Sequence, residues 1–293
     1  MADLRLRAGA EARTRALSGG SLRLRAGAGG RDRIRDVIDS RPRFTEADAI
    51  RLNNLFRGTD TAEMLRTLIK DGLAGDIAVV SSFGAESAVL LHLIAAVDRS
   101  LPVLFLETGK HFPETLAYRD QLVAQLGLTN LVVLEPDAAA LAAKDETGLR
   151  WSWDPDGCCE IRKVEPLARG LARFDATLTG RKGFQSKTRA GLPRFEIDHS
   201  DAAGRLKINP LASWSKADLD AYVETHALPA HPLVTQGYPS IGCAPCTSKV
   251  AAGEDPRSGR WKGWDKTECG IHVPGAPEGA GESELPPGYD PVF

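Results

Sequence analysis

Five cysteines carry most of the chemistry open to this sequence. Cys158 and Cys159 stand in tandem, Cys243 and Cys246 form a Cys-x-x-Cys pair, and Cys269 stands alone near the end of the stretch DPRSGRWKGWDKTECGIH, which starts at Asp255. Thiolates serve as metal ligands and as nucleophiles, and the grouping suggests four ligands and one nucleophile. Adjacent cysteines chelate one tetrahedral zinc only with backbone strain, whereas a multi-iron cluster offers separate metal atoms to neighbouring thiolates. The tandem pair therefore favours iron and sulfur over zinc. Its bland reading is two helix-start cysteines, one of them packed as a small hydrophobe. For Cys243-Ala244-Pro245-Cys246 the rival is a thioredoxin-like redox pair, which the loop-like flanks count against. Cys269 is either an inert surface thiol or a reactive one. Arg257, Arg260, Lys262 and Lys266 precede it; they can neutralise a phosphate or sulfate and lower the pKa of a nearby thiol.

Positioning such groups needs a scaffold, and the hydrophobic periodicity supplies one. Residues 77–82 form an apolar β-type run, followed by a tight Phe-Gly-Ala turn and a helical pattern over 86–97. A helix is expected over 62–73, strands over 103–107, 131–134, 175–179 and 206–209, and helices over 113–126 and 215–226, the last capped by Ser215. Alternation of this kind predicts an α/β fold with a parallel sheet flanked by helices, in which ligands bind beyond the carboxyl ends of the strands. Three loops fall there. Ser82, Phe83 and Gly84 follow the first strand and can hold a phosphate-like anion at a helix start; a plain turn with a serine cap is the alternative. Glu107, Thr108 and Gly109 follow the second strand. Arg181, Lys182, Gln185, Lys187 and Arg189 follow the strand at 175–179 and can grip a nucleotide, although a charge run is more often a solvated face.

Composition bounds these readings. The chain of 293 residues is long enough for one large domain with appendages. No apolar run approaches membrane-spanning length and no secretory signal opens the chain, so a soluble, cytoplasmic protein with no membrane partner is expected. Five cysteines in such a chain read as metal or thiol chemistry before a disulfide framework. The formal net charge of −2 is uneven, because the first 45 residues hold eleven arginines against five acidic residues. Within them LRLRAGA occurs twice, starting at Leu4 and Leu22. This low-complexity arm could bind nucleic acid or act in targeting, but a flexible extension is the simpler reading and no nucleic-acid partner is expected. The expected organisation is an arm over 1–45, an α/β domain with the cluster site over 46–250, and a catalytic segment with a mobile tail over 251–293.

Taken together, Cys158-Cys159, Cys243-x-x-Cys246, Glu268-Cys269-Gly270-Ile271-His272 and the loops at 107–115 and 179–190 resemble assimilatory adenylyl-sulfate (APS) reductase, of the phosphoadenylyl-sulfate reductase family. The likeness runs from about residue 77 to 272. It implies an adenine-nucleotide hydrolase-like fold related to the PP-loop ATP pyrophosphatases, whose Ser-Gly-Gly-x-Asp-Ser loop is replaced here by residues 82–87, SFGAES. It also implies a [4Fe-4S] cluster on Cys158, Cys159, Cys243 and Cys246. Lys163, Arg257, Arg260 and His272 would face the phosphosulfate; Arg181, Gln185 and Arg189 would lie on the nucleotide side. Family members often have Arg where this chain has Gly183. The implied reaction is reduction of APS to sulfite and AMP in sulfate assimilation, through an S-sulfocysteine on Cys269 resolved by reduced thioredoxin. Relatives commonly form homo-oligomers. Three other readings stand beside it: preference for the 3'-phosphorylated substrate (PAPS), an ATP-using transferase of the pyrophosphatase group, which the missing Gly-Gly loop counts against, and a non-catalytic metal-binding module.

Overall fold

The computed structural model describes residues 43–186, 189–201, 204–266 and 268–272, with only the backbone of His272. The expected arm over 1–45 therefore lies almost wholly outside the described residues, as does the tail beyond 272.

Six short strands form one sheet: β1 (Ile77–Val80), β2 (Val103–Leu106), β3 (Leu131–Leu134), β4 (Ala176–Thr179), β5 (Phe195–Asp198) and β6 (Arg205–Ile208). Their order is β3-β2-β1-β4-β6-β5, and every pairing is parallel except β5 with β6. Strand side chains alternate between faces, which splits the core in two. Ile77 and Val79 of β1, Val103 and Phe105 of β2, and Ala176 and Leu178 of β4 enter the larger cluster. Ala78, Val80 and Leu104 point to the smaller one, with Leu167, Leu171 and Phe174. Burial on both faces explains why the central strands read as continuous apolar runs.

The larger face is covered by α1 (Glu46–Leu55), α2 (Thr61–Lys70), α3 (Ser87–Ala95), α4 (Pro113–Leu126) and α8 (Lys216–Thr225). Their ends follow local chemistry. Asp60 accepts from the amides of Ala62 and Glu63, and Thr45 and Ser215 form capping boxes with Asp48 and Asp218. Pro113 opens α4, which Gly127 closes in the left-handed conformation at φ 64°.

On the other face, α5 (Ala138–Lys144) is followed by a helix built in three pieces: α6 (Pro155–Cys159), a π turn (Glu160–Val164) and α7 (Glu165–Leu171). Pro166 has no N–H to donate to the Arg162 carbonyl, and the amide of Glu165 reaches the carbonyl of Glu160, five residues back. The π turn directly follows the tandem cysteines and carries Arg162 and Lys163.

Strand order reverses between β1 and β4, the crevice where open α/β sheets bind ligands. The loops after these two strands, and the one after β2, open toward the same end.

Candidate active site

A cavity of about 680 Å³ opens at this reversal point, a size suited to a nucleotide. Its cations are Lys163, Arg181, Lys182, Arg189, Lys216, Arg257 and Arg260, against the acids Glu86, Asp255 and Glu268. The excess of positive charge suits an anionic ligand. Leu90, Leu106 and Ile241 contribute apolar wall.

The loop after β1 is shaped by strain and packing. Phe83 has φ +49°, an unusual value for a residue with a side chain. Its ring is fully buried, edge-on to Phe105 at 5.6 Å between centroids. The side chain therefore points into the core and shapes the loop from behind, and Phe83 is not among the cavity-lining residues. Ser82, Gly84, Ala85, Glu86 and Ser87 do line the cavity. Helix α3 has no side-chain cap: the carboxylate of its N-cap, Glu86, is held by Lys182 and Gln185, and Ser87 Oγ donates back to the Gly84 carbonyl at 2.7 Å. The Ser87 amide also donates to the Gly84 carbonyl, at 3.1 Å, so the loop closes on itself at the start of the helix.

After β2, only Thr108 of the expected trio lines the cavity. Glu107 Oε1 accepts from the Gly109 amide at 2.8 Å, so these two residues build the turn. Gly109, at φ +67°, lies beside Arg162. That guanidinium is buried; it donates to the Thr108 carbonyl at 2.7 Å and pairs with Asp145 at 2.6 Å. Arg162 and Asp145 organise the site without having been singled out in the sequence, where each is one charged residue among many.

After β4, Arg181 is buried and held by Thr179, Asn209 and Glu196. Burial, together with the neighbouring charge of Arg189, brings its pKa down to about 10. Lys182 Nζ and Gln185 Nε2 both reach Glu86 Oε2, at 2.9 and 3.1 Å. At Gly183 a Cβ would sit 3.0 Å from the Ala212 carbonyl, so this turn is packed for glycine. Lys187 lies outside the described residues.

The two cysteine groups meet on the far side of Lys163. A second, smaller pocket is lined by Cys158, Cys159, Cys243 and Cys246, with Lys110, Trp151, Pro155, Arg162, Lys163 and Pro245. All four thiols expected to act together share this pocket, with three cations and no carboxylate or imidazole. Burial pushes the Cys158 thiol up to about 11. Among the described residues, no three His, Cys, Asp or Glu side chains are set to hold a single ion. The segment beyond these cysteines folds back: Ser248 and Trp261 donate backbone N–H groups to Gly259 and Cys246. Residue 250 thus lies inside a continuous structure leading to Cys269.

Cys269 lines the large cavity with Lys163 Nζ 3.9 Å from its Sγ. Its pKa lies well below the ordinary thiol value, through a hydrogen bond from Cys159, the charges of Lys163 and Arg260, and the Ile271 amide, against an opposing effect of burial. Burial lowers the pKa of Lys163, but its sulfur neighbours, the Cys269 thiolate foremost, more than offset this and raise it, so Lys163 stays cationic. Arg257 and Arg260 also line the cavity. Arg260 lies over the Trp261 ring, and its Nε is buried without a protein partner among the described residues. Gly242 makes room for it, since a Cβ there would fall 2.2 Å from its guanidinium.

Residues 76–249 match the family described as the phosphoadenosine phosphosulfate reductase domain. The chain belongs to this family. It is 55% identical over 229 residues to an adenosine 5'-phosphosulfate reductase of Mesorhizobium japonicum, covering 78% of this chain and 89% of that protein. It is 44% identical over 200 residues to a phosphoadenosine 5'-phosphosulfate reductase of Gloeobacter violaceus, covering 67% and 82%. Among solved structures, phosphoadenylyl-sulfate reductase from Candida auris, a phosphate complex, superposes with TM-score 0.60 and 28% identity, over 71% of this chain and 98% of that one. The expected fold class agrees with these relations and with the sheet topology.

Proposed function

We propose that this chain reduces APS to sulfite and AMP in sulfate assimilation, with Cys269 as nucleophile, reduced thioredoxin as electron donor and a [4Fe-4S] cluster on Cys158, Cys159, Cys243 and Cys246. One observation carries the reading: Lys163 and Cys243 line both the nucleotide-sized cavity and the four-thiol pocket, and Lys163 is the cation beside Cys269. A thiol nucleophile, an anion site and a sulfur-donor pocket are thus contiguous.

The four thiols fit an anionic iron–sulfur cluster by their chemistry: thiolate is its usual ligand, and Lys110, Arg162 and Lys163 offset its charge. Such a cluster would supply a rigid tie between the two cysteine loops and a fixed field beside Lys163, while electrons come from thioredoxin.

Lys163, Arg257 and Arg260 hold the phosphosulfate, with the loop at the start of α3 and Lys182 toward the nucleotide. The Cys269 thiolate attacks the sulfuryl sulfur, the bond from sulfur to the bridging oxygen breaks, and its electron pair leaves on AMP. The product is an S-sulfocysteine. A thioredoxin thiolate then attacks Cys269 Sγ and expels sulfite, and the second thioredoxin thiol resolves the mixed disulfide. The sulfur gains two electrons and thioredoxin loses two. Were Cys159 a cluster ligand, its hydrogen bond to Cys269 would be lost, and Lys163, Arg260 and the Ile271 amide would remain to favour the thiolate. The reaction takes place in the cytoplasm, and among the described residues no helix is long and apolar enough to cross a membrane.

APS is favoured by the Mesorhizobium relative's name, and PAPS is the second reading because the Gloeobacter relative is named for it. Anaerobic assays of AMP and sulfite release with reduced thioredoxin and competing APS and PAPS separate the two. Turnover preferring APS, in protein containing iron and acid-labile sulfide, is expected. Zinc-containing protein that turns over neither nucleotide would return the chain to a metal-binding module.

A further inference from the structure

Of the cavity-lining cations, Arg181, Lys182, Arg189, Lys216 and Arg257 are each paired with a carboxylate: Glu196, Glu86, Glu268, Asp220 and again Glu268. Arg260 has no such partner among the described residues, and its Nε is buried without a protein acceptor there. An aromatic face takes the carboxylate's place: the guanidinium carbon lies 4.4 Å from the Trp261 ring centroid. A carboxylate occupies the N–H edge of a guanidinium and offsets its charge, whereas a ring meets its face and leaves the in-plane donors and the charge for an anionic ligand. The charge of Arg260 also reaches Cys269. The sulfuryl group of the substrate must lie against that sulfur for attack, so Arg260 stands at the sulfonate end of the cavity.

Trp261 is held in a fixed position. It is 3% exposed and lines the cavity. Its φ of +49° is unusual for a residue with a side chain, and such a conformation persists where the surroundings impose it. Here its amide donates to the Cys246 carbonyl at 3.1 Å and its carbonyl accepts from the Trp264 amide at 2.9 Å. The β-bridge between Thr247 and Arg260, and the space left at Gly242, seat the guanidinium. Lys266 Nζ lies 5.7 Å from the same ring centroid, with Asp156, in the segment before Cys158, as its counter-charge. The indole Nε1 has no protein partner among the described residues. Packing and backbone therefore place the ring, and the feature it offers Arg260 is its face.

We propose that Trp261 is a positioning residue acting through Arg260: its ring holds the guanidinium by the face, so that the donors stay turned to the phosphosulfate, and its amide ties that cation to the loop of Cys243 and Cys246. This rests on the proposed reaction. The test uses cofactor-loaded enzyme prepared anaerobically and carrying Cys269→Ser, so that APS binds without sulfonate transfer, and adds Trp261→Leu, Arg260→Met and the two together. APS affinity is measured by calorimetry, with iron and acid-labile sulfide determined in each preparation. Trp261→Leu should weaken APS binding by about 10- to 30-fold, the scale of a desolvated cation–π contact. Arg260→Met should cost at least as much. In the double variant the tryptophan substitution should add less than about twofold, because no guanidinium is left for the ring to hold. Trp261→Phe, which keeps an aromatic face, should recover most of the loss. A change below about twofold in Trp261→Leu, or losses that multiply in the double variant as they would for a merely structural tryptophan, would overturn the proposal alone. If Trp261→Leu does not fold or load its cofactor, Trp261→Met is judged by the same cycle. A Cys269→Ser parent that binds no APS would overturn the proposal together with the reading it rests on.

Discussion

Replacing Arg162 with methionine removes a guanidinium that ties together three parts of the site. Arg162 Nε and Nη2 donate to Asp145 Oδ2 at 3.1 and 2.6 Å, and Nη1 donates to the Thr108 carbonyl at 2.7 Å. The Asp145 side chain has no solvent exposure and that of Arg162 only 9%. In Arg162→Met the Asp145 carboxylate keeps one backbone donor, the Arg150 amide at 2.9 Å, and loses its counter-charge. Breaking a buried pair from one side costs ~3–5 kcal/mol, because the stranded charge is neither solvated nor paired. For a domain of this size each kcal/mol lowers the melting temperature by about 2–4 °C, so a fall of roughly 6–20 °C is expected. Urea unfolding followed by tryptophan fluorescence, with calorimetry alongside, measures it. Arg162→Met/Asp145→Leu should recover much of the loss, since an apolar pair of similar volume has no charge to strand. A loss below about 1 kcal/mol in the single variant, or a double variant as unstable as the two singles summed, would refute this account of the π turn and its anchor.

Three further outcomes follow from the same geometry. Lys163→Met should slow sulfonate transfer to Cys269 by about 10²–10³-fold at saturating APS, the usual effect of deleting one charge-stabilising donor; an unchanged single-turnover rate would remove Lys163 from the reaction. Phe83→Ala should destabilise the fold by ~3–5 kcal/mol, read from denaturant midpoints, because a fully buried ring is deleted, and should also weaken AMP binding as the loop after β1 loses its backing. His231 has a pKa lowered to about 4 by burial, with Nδ1 accepting from the Leu233 amide and Nε2 paired with Thr115 Oγ1. The unfolded chain therefore binds the extra proton first, and this contribution to stability, present above pH ~6.5, should be lost as pH falls toward 4, by ~1–3 kcal/mol. His231→Gln should flatten that slope; an equally steep slope would assign it to other groups.

Much of this arrangement can be read directly from residue patterns. The parallel strands announce themselves as short apolar runs because both faces of the sheet are buried, and β3 and α4 fall where the periodicity places them. Strand β5 was not anticipated: FEID is four residues long, follows a loop, and pairs antiparallel at the sheet edge. The helix from α6 to α7 was hidden by Pro155, Gly157 and Pro166, residues that normally interrupt helices and that this chain accommodates at a first turn and a π turn. The cysteine grouping was legible because the donor chemistry is rare. The direction of Phe83 was not, since a positive φ on a phenylalanine leaves no mark in the sequence. Nor could residue type distinguish the partners of Arg189, Arg257 and Arg260; which arginine meets Glu268 depends on how residues 247–272 fold back over the loop after β4.

The most direct test is intact-protein mass spectrometry with peptide mapping, after anaerobic incubation of cofactor-loaded enzyme with APS and no thiol reductant. The account predicts one added sulfonate, located on Cys269 and removed by reduced thioredoxin as sulfite is released. No adduct in protein shown to hold its iron and sulfide, or an adduct on any other residue, would contradict it.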